Sequence, residues 1–244
     1  MVELYNMDCL EGMKNIPDES IDCVVTDPPY HICSGGVSTR KFKIASGILS
    51  RTSGDNIKYV KKGTLFEFND IKFSEWLPEV YRVLKPDTHC YIMINARNMK
   101  ELLNCAEDVG FKLQNILVWM KDNRTPNRYY MNQAEFILLF RKGGAKTINI
   151  PGTSNIIQCG NLRNKQDHPT EKPVELMRVF IENSTNRRER VLDPFMGVGA
   201  TGVACKMLDR DFIGYELSEQ YYAVAVNRCN EQSTQVNDKG RLFE

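Results

Sequence analysis

The chain has 244 residues, 42% of them hydrophobic and 26% charged, with a net charge of +1. That balance excludes a disordered or single-sign tail, and the length suffices for one large domain with a substantial core. Nothing in the net charge draws the whole chain to nucleic acid. The basic residues are concentrated instead: Arg40, Lys41, Lys43, Arg51, Lys58, Lys61 and Lys62 face only Asp55, a run that also reads as a solvated loop. The eight cysteines form no C-x-x-C pair and lie in no zinc-type His spacing. With no signal peptide and no membrane-length apolar run, a cytoplasmic protein with reduced thiols, no metal and no membrane contact is expected.

Taken in order, β-rich runs fall at Val2–Asn6, Ile21–Thr26, His89–Asn95, Leu113–Met120, Ala134–Arg141, Arg190–Asp193 and Phe212–Glu216. Helical patterns fall between them at Cys9–Lys14, Phe73–Leu84, Met99–Val109, Val174–Asn183, Ala200–Leu208 and Glu219–Glu231. Strands alternating with helices predict an α/β fold, a mostly parallel sheet covered on both faces. Leu113–Met120 and Ala134–Arg141 have no helix between them and predict an antiparallel edge ribbon. About seven strands are expected, in a single domain over residues 1–244.

Two segments break the alternation. Residues 31–70 are rich in Gly, Ser, Lys and Arg without a sustained period, and predict a mobile basic loop that orders on a partner. Residues 143–167 predict a second, shorter loop, containing Gly143-Gly144, Pro151-Gly152 and "CGNLRNKQD". Ligands of open α/β sheets bind beyond the carboxyl ends of strands, which is where Asp27 and the start of the first loop fall.

Asp27-Pro28-Pro29-Tyr30 follows the apolar run Ile21–Thr26. Prolines cannot continue a ladder, so the strand stops there, leaving an acceptor and an aromatic ring on a stiff backbone. Towards the other end, "RVLDPFMGVGATGVACKML" reads as a buried strand, a loop with Gly197-x-Gly199, and a helix of small residues. Such glycines allow a tight turn and close ligand approach, and the helix amino terminus favours an anionic group. Glu216 ends the next strand, where a carboxylate grips ribose hydroxyls in adenosine-containing cofactors. These features fit NAD or S-adenosylmethionine. Asp193-Pro194-Phe195 argues against a pyrophosphate and for a cationic amino group, although Phe195 is equally explained as core.

Together these motifs resemble an amino-group DNA methyltransferase of the beta arrangement, in which the catalytic motif precedes the cofactor motif. The resemblance covers nearly the whole chain: "NMDCLEGMKNIPDESIDCVVTDPPY", "LPEVYRVLKPD", "NILVWMKDNRTP", "NQAEFILLFRKG", "HPTEKPVELM", "VLDPFMGVGATG" and "RDFIGYELSEQYYAVAVNR". It implies a Rossmann-like methyltransferase fold, S-adenosylmethionine as cofactor, and double-stranded DNA as partner. Asp27, Pro28, Pro29 and Tyr30 take the catalytic positions. Asp8, Thr170, Lys172, Asp193, Phe195, Gly197, Gly199, Thr201 and Glu216 take the cofactor positions. Thr170 is also explained as a helix start. Val198 and Ala200 stand where the family shows hydroxyl residues, and Thr201 is the candidate replacement.

In this resemblance Asp at position 27 accompanies adenine and Ser accompanies cytosine. The expected reaction is therefore methylation of the adenine amine at a specific site, with base flipping. Cytosine-amine methylation, or a DNA-binding module without catalysis, are the alternatives. Candidate readers of base edges are Arg124, Asn127, Arg128, Asn161, Arg163, Asn164 and Gln166, the last four within the 143–167 segment as a target-recognition insertion. A homodimer is expected, with helix Val174–Ile181 and the edge ribbon as candidate surfaces.

Overall fold

Every residue of Ile21–Thr26 is buried, and its side chains divide by the period of two that a strand imposes. Val24 enters one core, while Cys23 and Val25 enter the other. A strand buried on both faces belongs at the centre of a covered sheet, and that is where it lies in the computed structural model, which describes residues 1–29, 71–125, 129–144, 146–160 and 172–231.

In chain order the elements are β1 (Val2–Asn6), α1 (Cys9–Met13), β2 (Ile21–Thr26), α2 (Phe73–Val83), β3 (Leu84–Ile94), α3 (Met99–Val109) and β4 (Lys112–Thr125). They continue with β5 (Asn132–Lys142), β6 (Ile156–Gln158), α4 (Val174–Ser184), β7 (Arg190–Asp193), α5 (Ala200–Met207), β8 (Asp211–Glu216) and α6 (Glu219–Glu231). Among the described residues one eight-stranded sheet runs β1-β8-β7-β2-β3-β5-β4-β6. It is parallel from β1 to β3, antiparallel at β3/β5 and β5/β4, and parallel again at β4/β6. This is a Rossmann-like α/β fold, as the resemblance implies.

Helices α1, α2 and α3 cover one face and α4, α5 and α6 the other. In α2 the buried Phe73, Trp76, Leu77, Val80 and Val83 recur at helical spacing and form the apolar stripe that seats it. In α5 a Cβ at Gly202 would meet Phe212 at 2.9 Å, so its small residues set the close approach to β8. The chain leaves β7 towards α5 on one face, whereas β2 is followed by α2 on the other. β7 and β2 are neighbours, so a crevice opens between their carboxyl ends, at the topological switch point.

The structure differs from expectation in three places. The sheet gains an eighth strand, because Ile156–Gln158 pairs with Val118–Met120 inside the segment read as a loop. β3 begins at Leu84 rather than His89: Leu84 pairs with Ile21 before a register shift carries the ladder past the Lys-Pro-Asp stretch. The apolar side of α4 is not a dimer surface, since Leu176, Met177, Phe180 and Ile181 are consumed in the core, and β6 caps the middle of the ribbon's outer edge. Residues 31–70 lie outside the described residues, and with them the basic run. Among the described residues no helix is long and apolar enough to cross a membrane.

Candidate active site

β7 delivers Asp193 to the crevice, and the chain turns into the loop that precedes α5. Gly197 (φ 53°) and Gly199 (φ 80°) both adopt the left-handed region that favours glycine. Their surroundings differ. A Cβ on Gly199 would stand 3.0 Å from that of Ala225, so α6 packs against it, whereas a Cβ on Gly197 would meet nothing within 4 Å. Gly197 therefore faces open space. Its N–H donates to Glu216 Oε2 at 3.1 Å, and Ser218 N–H donates to Oε1 at 2.8 Å. Burial holds the Glu216 carboxyl above its ordinary range despite these donors.

Asp8 reaches the same edge from the next strand. β1 pairs with β8 through Asn6 and Glu216, and the Asn6 amide donates to the Glu216 carbonyl at 2.8 Å. Asp8 caps α1 by accepting from Leu10 N–H at 2.7 Å, and its side is exposed. Asp8, Gly197 and Glu216 thus follow or end the neighbouring strands β1, β7 and β8 at their carboxyl ends.

Asp193 is 3% exposed and is satisfied from within the protein. Oδ1 accepts from the Thr26 hydroxyl at 2.7 Å and from Phe195 N–H at 3.1 Å, and Oδ2 accepts from the Thr201 hydroxyl at 2.6 Å. The Thr201 hydroxyl is thus spent on Asp193. Burial pushes the Asp193 carboxyl up to about 6, against the pull of the three donors. Phe195 packs edge-on to Trp76, ring centroids 5.2 Å apart, which is the core half of its expected role.

Asp27 stands beyond β2, close enough to Asp193 that its charge adds to the latter's upward shift. Lys172, just before α4, donates to Asp27 Oδ2 at 2.5 Å. The same ammonium lies 3.6 Å from Glu135 Oε2 on β5, and Lys121 of β4 bonds Glu135 Oε1 at 2.6 Å. Burial pulls the Lys172 ammonium down, but the Asp27 and Glu135 carboxylates outweigh it and hold it above its ordinary value. Burial raises Glu135, and the two lysines overcome that and hold it below.

Lys172, expected among the cofactor residues, therefore meets Asp27. Pro28 is buried and Pro29 half-buried. Tyr30 and Thr170 lie outside the described residues, as do Asn127, Arg128, Asn161, Arg163, Asn164 and Gln166. The sequence reading missed Glu135, Lys121 and Thr26. Glu135 carried a signal, as a lone acid leading the apolar strand run Phe136–Phe140.

β5 runs antiparallel to β3, pairing Phe136 with Ile94, so the β4–β5 turn projects past the sheet edge that carries Asp27. Tyr129, Tyr130 and Met131 on it are 83%, 90% and 61% exposed. Arg124, also exposed, donates to Gln133 Oε1 at 3.2 Å.

Comparison with known proteins agrees with this geometry. The Type II methyltransferase M2.LlaDCHI of Lactococcus lactis subsp. cremoris is 30% identical over 250 residues, covering 95% of this chain and 90% of the relative. M2.DpnII of Streptococcus pneumoniae is 30% identical over 249 residues, covering 94% and 90%. The solved M1.HpyAVI–SAM complex superposes with a TM-score of 0.68 at 28% identity, over 93% of this chain and all of that one. The cytosine-N4-specific PvuII DNA methyltransferase shares the fold, with a TM-score of 0.69 at 20% identity over 93% and 86%. A family model described as DNA methylase matches residues 21–227. A match running from the start of β2 into α6 makes the assignment: this chain belongs to the DNA methylase family.

Proposed function

We propose that this DNA methyltransferase transfers a methyl group from S-adenosylmethionine to the exocyclic amine of adenine in a specific double-stranded DNA sequence. The observation that carries the reading is the adjacency of Asp27 and the Gly197–Gly199 loop at the ends of neighbouring strands, 167 positions apart in sequence at the Thr26–Asp193 bond. The residues at the crevice suit the cofactor. Gly197 leaves room for a ligand against backbone, Glu216 and Asp8 offer carboxylates to hydroxyl and amine donors, and the start of α5 favours an anionic group. Phe195, Gly199 and the Thr170–Pro173 turn complete the expected pocket, while Asp193 and Thr201 hold the loop in shape.

When bound, S-adenosylmethionine supplies an electrophilic methyl group on its sulfonium sulfur. The protein's task is the amine. Its lone pair is delocalised into the base, and two acceptors, the Asp27 carboxylate and the Pro28 carbonyl, favour a tetrahedral nitrogen with an available lone pair. The prolines hold that carbonyl before the reaction begins. A carboxylate is a strong acceptor and stabilises the positive charge growing on nitrogen; adenine rather than cytosine is the base that the resemblance pairs with Asp at position 27. The proton leaves after transfer, so no strong base is needed.

Tyr30 offers a ring on which an extruded base stacks. The basic run Arg40–Lys62 neutralises phosphates, and the Arg124–Met131 turn supplies base contacts. The Type II relatives support a site-specific activity of the restriction–modification kind. The test is mass spectrometry of nucleosides from DNA methylated by the purified enzyme. N6-methyladenine is expected; methylcytosine would overturn the base assignment and leave the enzyme class intact.

A further inference from the structure

The four charges Asp27, Lys172, Glu135 and Lys121 alternate in sign and join the end of β2, the start of α4 and the β4–β5 ribbon. We propose that Glu135 is a positioning residue for methyl transfer: by sharing the Lys172 ammonium with Asp27, it fixes how the Asp27 carboxylate meets the target amine. Lys121 anchors Glu135 in turn. The inference rests on Asp27 accepting the amine, as above.

Lys172 is 12% exposed at its side chain and carries three donors and no acceptor, so its surroundings must supply oxygens. Asp27 gives one at 2.5 Å and Glu135 another at 3.6 Å. A carboxylate has about four lone-pair sites, so the bond from Lys172 does not by itself exhaust Asp27. The division of the ammonium between two carboxylates decides how much acceptor strength is left. With Glu135 neutralised, the whole cation falls on Asp27, which then competes poorly for the amine N–H. Glu135 is held ionised by both lysines, so its charge is present at working pH. A merely structural clamp between α4 and the sheet would register in stability and leave the chemical step alone.

The experiment measures single-turnover methylation of unmethylated genomic DNA with labelled S-adenosylmethionine. It compares the parent, Glu135→Gln, Lys172→Met and the double variant, with DNA and cofactor affinities and thermal midpoints alongside. Glu135→Gln is expected to slow the saturated rate about tenfold, with both affinities within about twofold of the parent. In the Lys172→Met background the same change should cost less than about twofold, because its effect passes through Lys172. Lys172→Arg should retain more rate than Lys172→Met.

A parental rate for Glu135→Gln, an equal loss in both backgrounds, or a loss confined to binding or melting would overturn the proposal. If Lys172→Met does not fold, the saturated rate of Glu135→Gln decides alone. A parent enzyme that methylates no DNA would overturn the functional reading itself, a different outcome from an active parent with an unimpaired Glu135→Gln.

Discussion

Asp193→Asn should make the protein relatively more stable at neutral pH than in acid. The parent carboxyl is 3% exposed, and burial raises it from 3.8 to about 6. A raised acid makes the native state bind its proton more tightly. Its contribution to stability is therefore fully present below 3.8 and is lost as pH rises through about 6. A shift of roughly two units at about 1.4 kcal/mol each amounts to ~3 kcal/mol.

Asparagine preserves the shape. Its oxygen can keep the Thr26 and Phe195 donors, and its amide can donate to Thr201, whose hydroxyl turns to accept. Urea unfolding of both proteins at a series of pH values isolates the effect, since other titrations cancel in the difference. The variant should gain ~3 kcal/mol on the parent between about pH 3.5 and about pH 7.5. A flat difference, or one of opposite sign, would mean that the three donors outweigh burial, and the reasoning would fail.

Asp27→Ala should reduce turnover by at least about a thousandfold while cofactor and DNA affinity stay within about an order of magnitude, because the lost bond forms fully only in the transition state. Steady-state and binding measurements on one preparation check this. Gly199→Ala should lose more stability than Gly197→Ala, since only the former drives a Cβ into Ala225 on top of the positive-φ strain of about 1 kcal/mol that both share. Gly197→Ala should instead weaken cofactor binding, which calorimetry reads directly. If the β4–β5 turn contacts DNA, Tyr130→Ala should weaken binding by roughly 1–3 kcal/mol, the worth of an aromatic ring stacked on an unpaired base, without moving the thermal midpoint, because the ring is 90% exposed. Equal DNA affinity by anisotropy would remove the β4–β5 turn from the interface.

Elements with an unbroken period were legible in the sequence. Met99–Val109 carries an amphipathic pattern ended by Gly110 at φ 109°, and Arg190–Asp193 is a short apolar run closed by Asp-Pro; both have the expected limits. β6 was not legible because Ile156–Gln158 has no pattern of its own; the open edge of β4 makes it a strand. The strand-end acids stood out as site candidates because a strand of apolar residues gives no packing reason for an acid at its end. Their partners were not. That Thr26 and Thr201 converge on Asp193, or that Lys172 turns to Asp27, depends on side chains brought together by strand register, and one chain read linearly does not contain that information.

Register also explains why the order of the motifs along the chain does not determine the site. Cys23 pairs with Val191 and Val24 with Leu192, so the ends of β2 and β7 come level whichever is synthesised first. An enzyme with the glycine loop ahead of Pro-Pro-Tyr could build the same crevice, including one acting on RNA or on a protein amide. The crevice alone therefore does not select the substrate. The expectation is that selection falls to what stands around it: the β4–β5 turn, with its exposed Tyr129, Tyr130 and Arg124, and residues 30–70, which join β2 to α2 in sequence. Inhibition of methyl transfer by unlabelled competitors tests this division. Duplex DNA should compete strongly and increasingly so at low salt, as phosphate contacts require. Equal competition by single-stranded RNA or by a protein substrate would place the selectivity elsewhere.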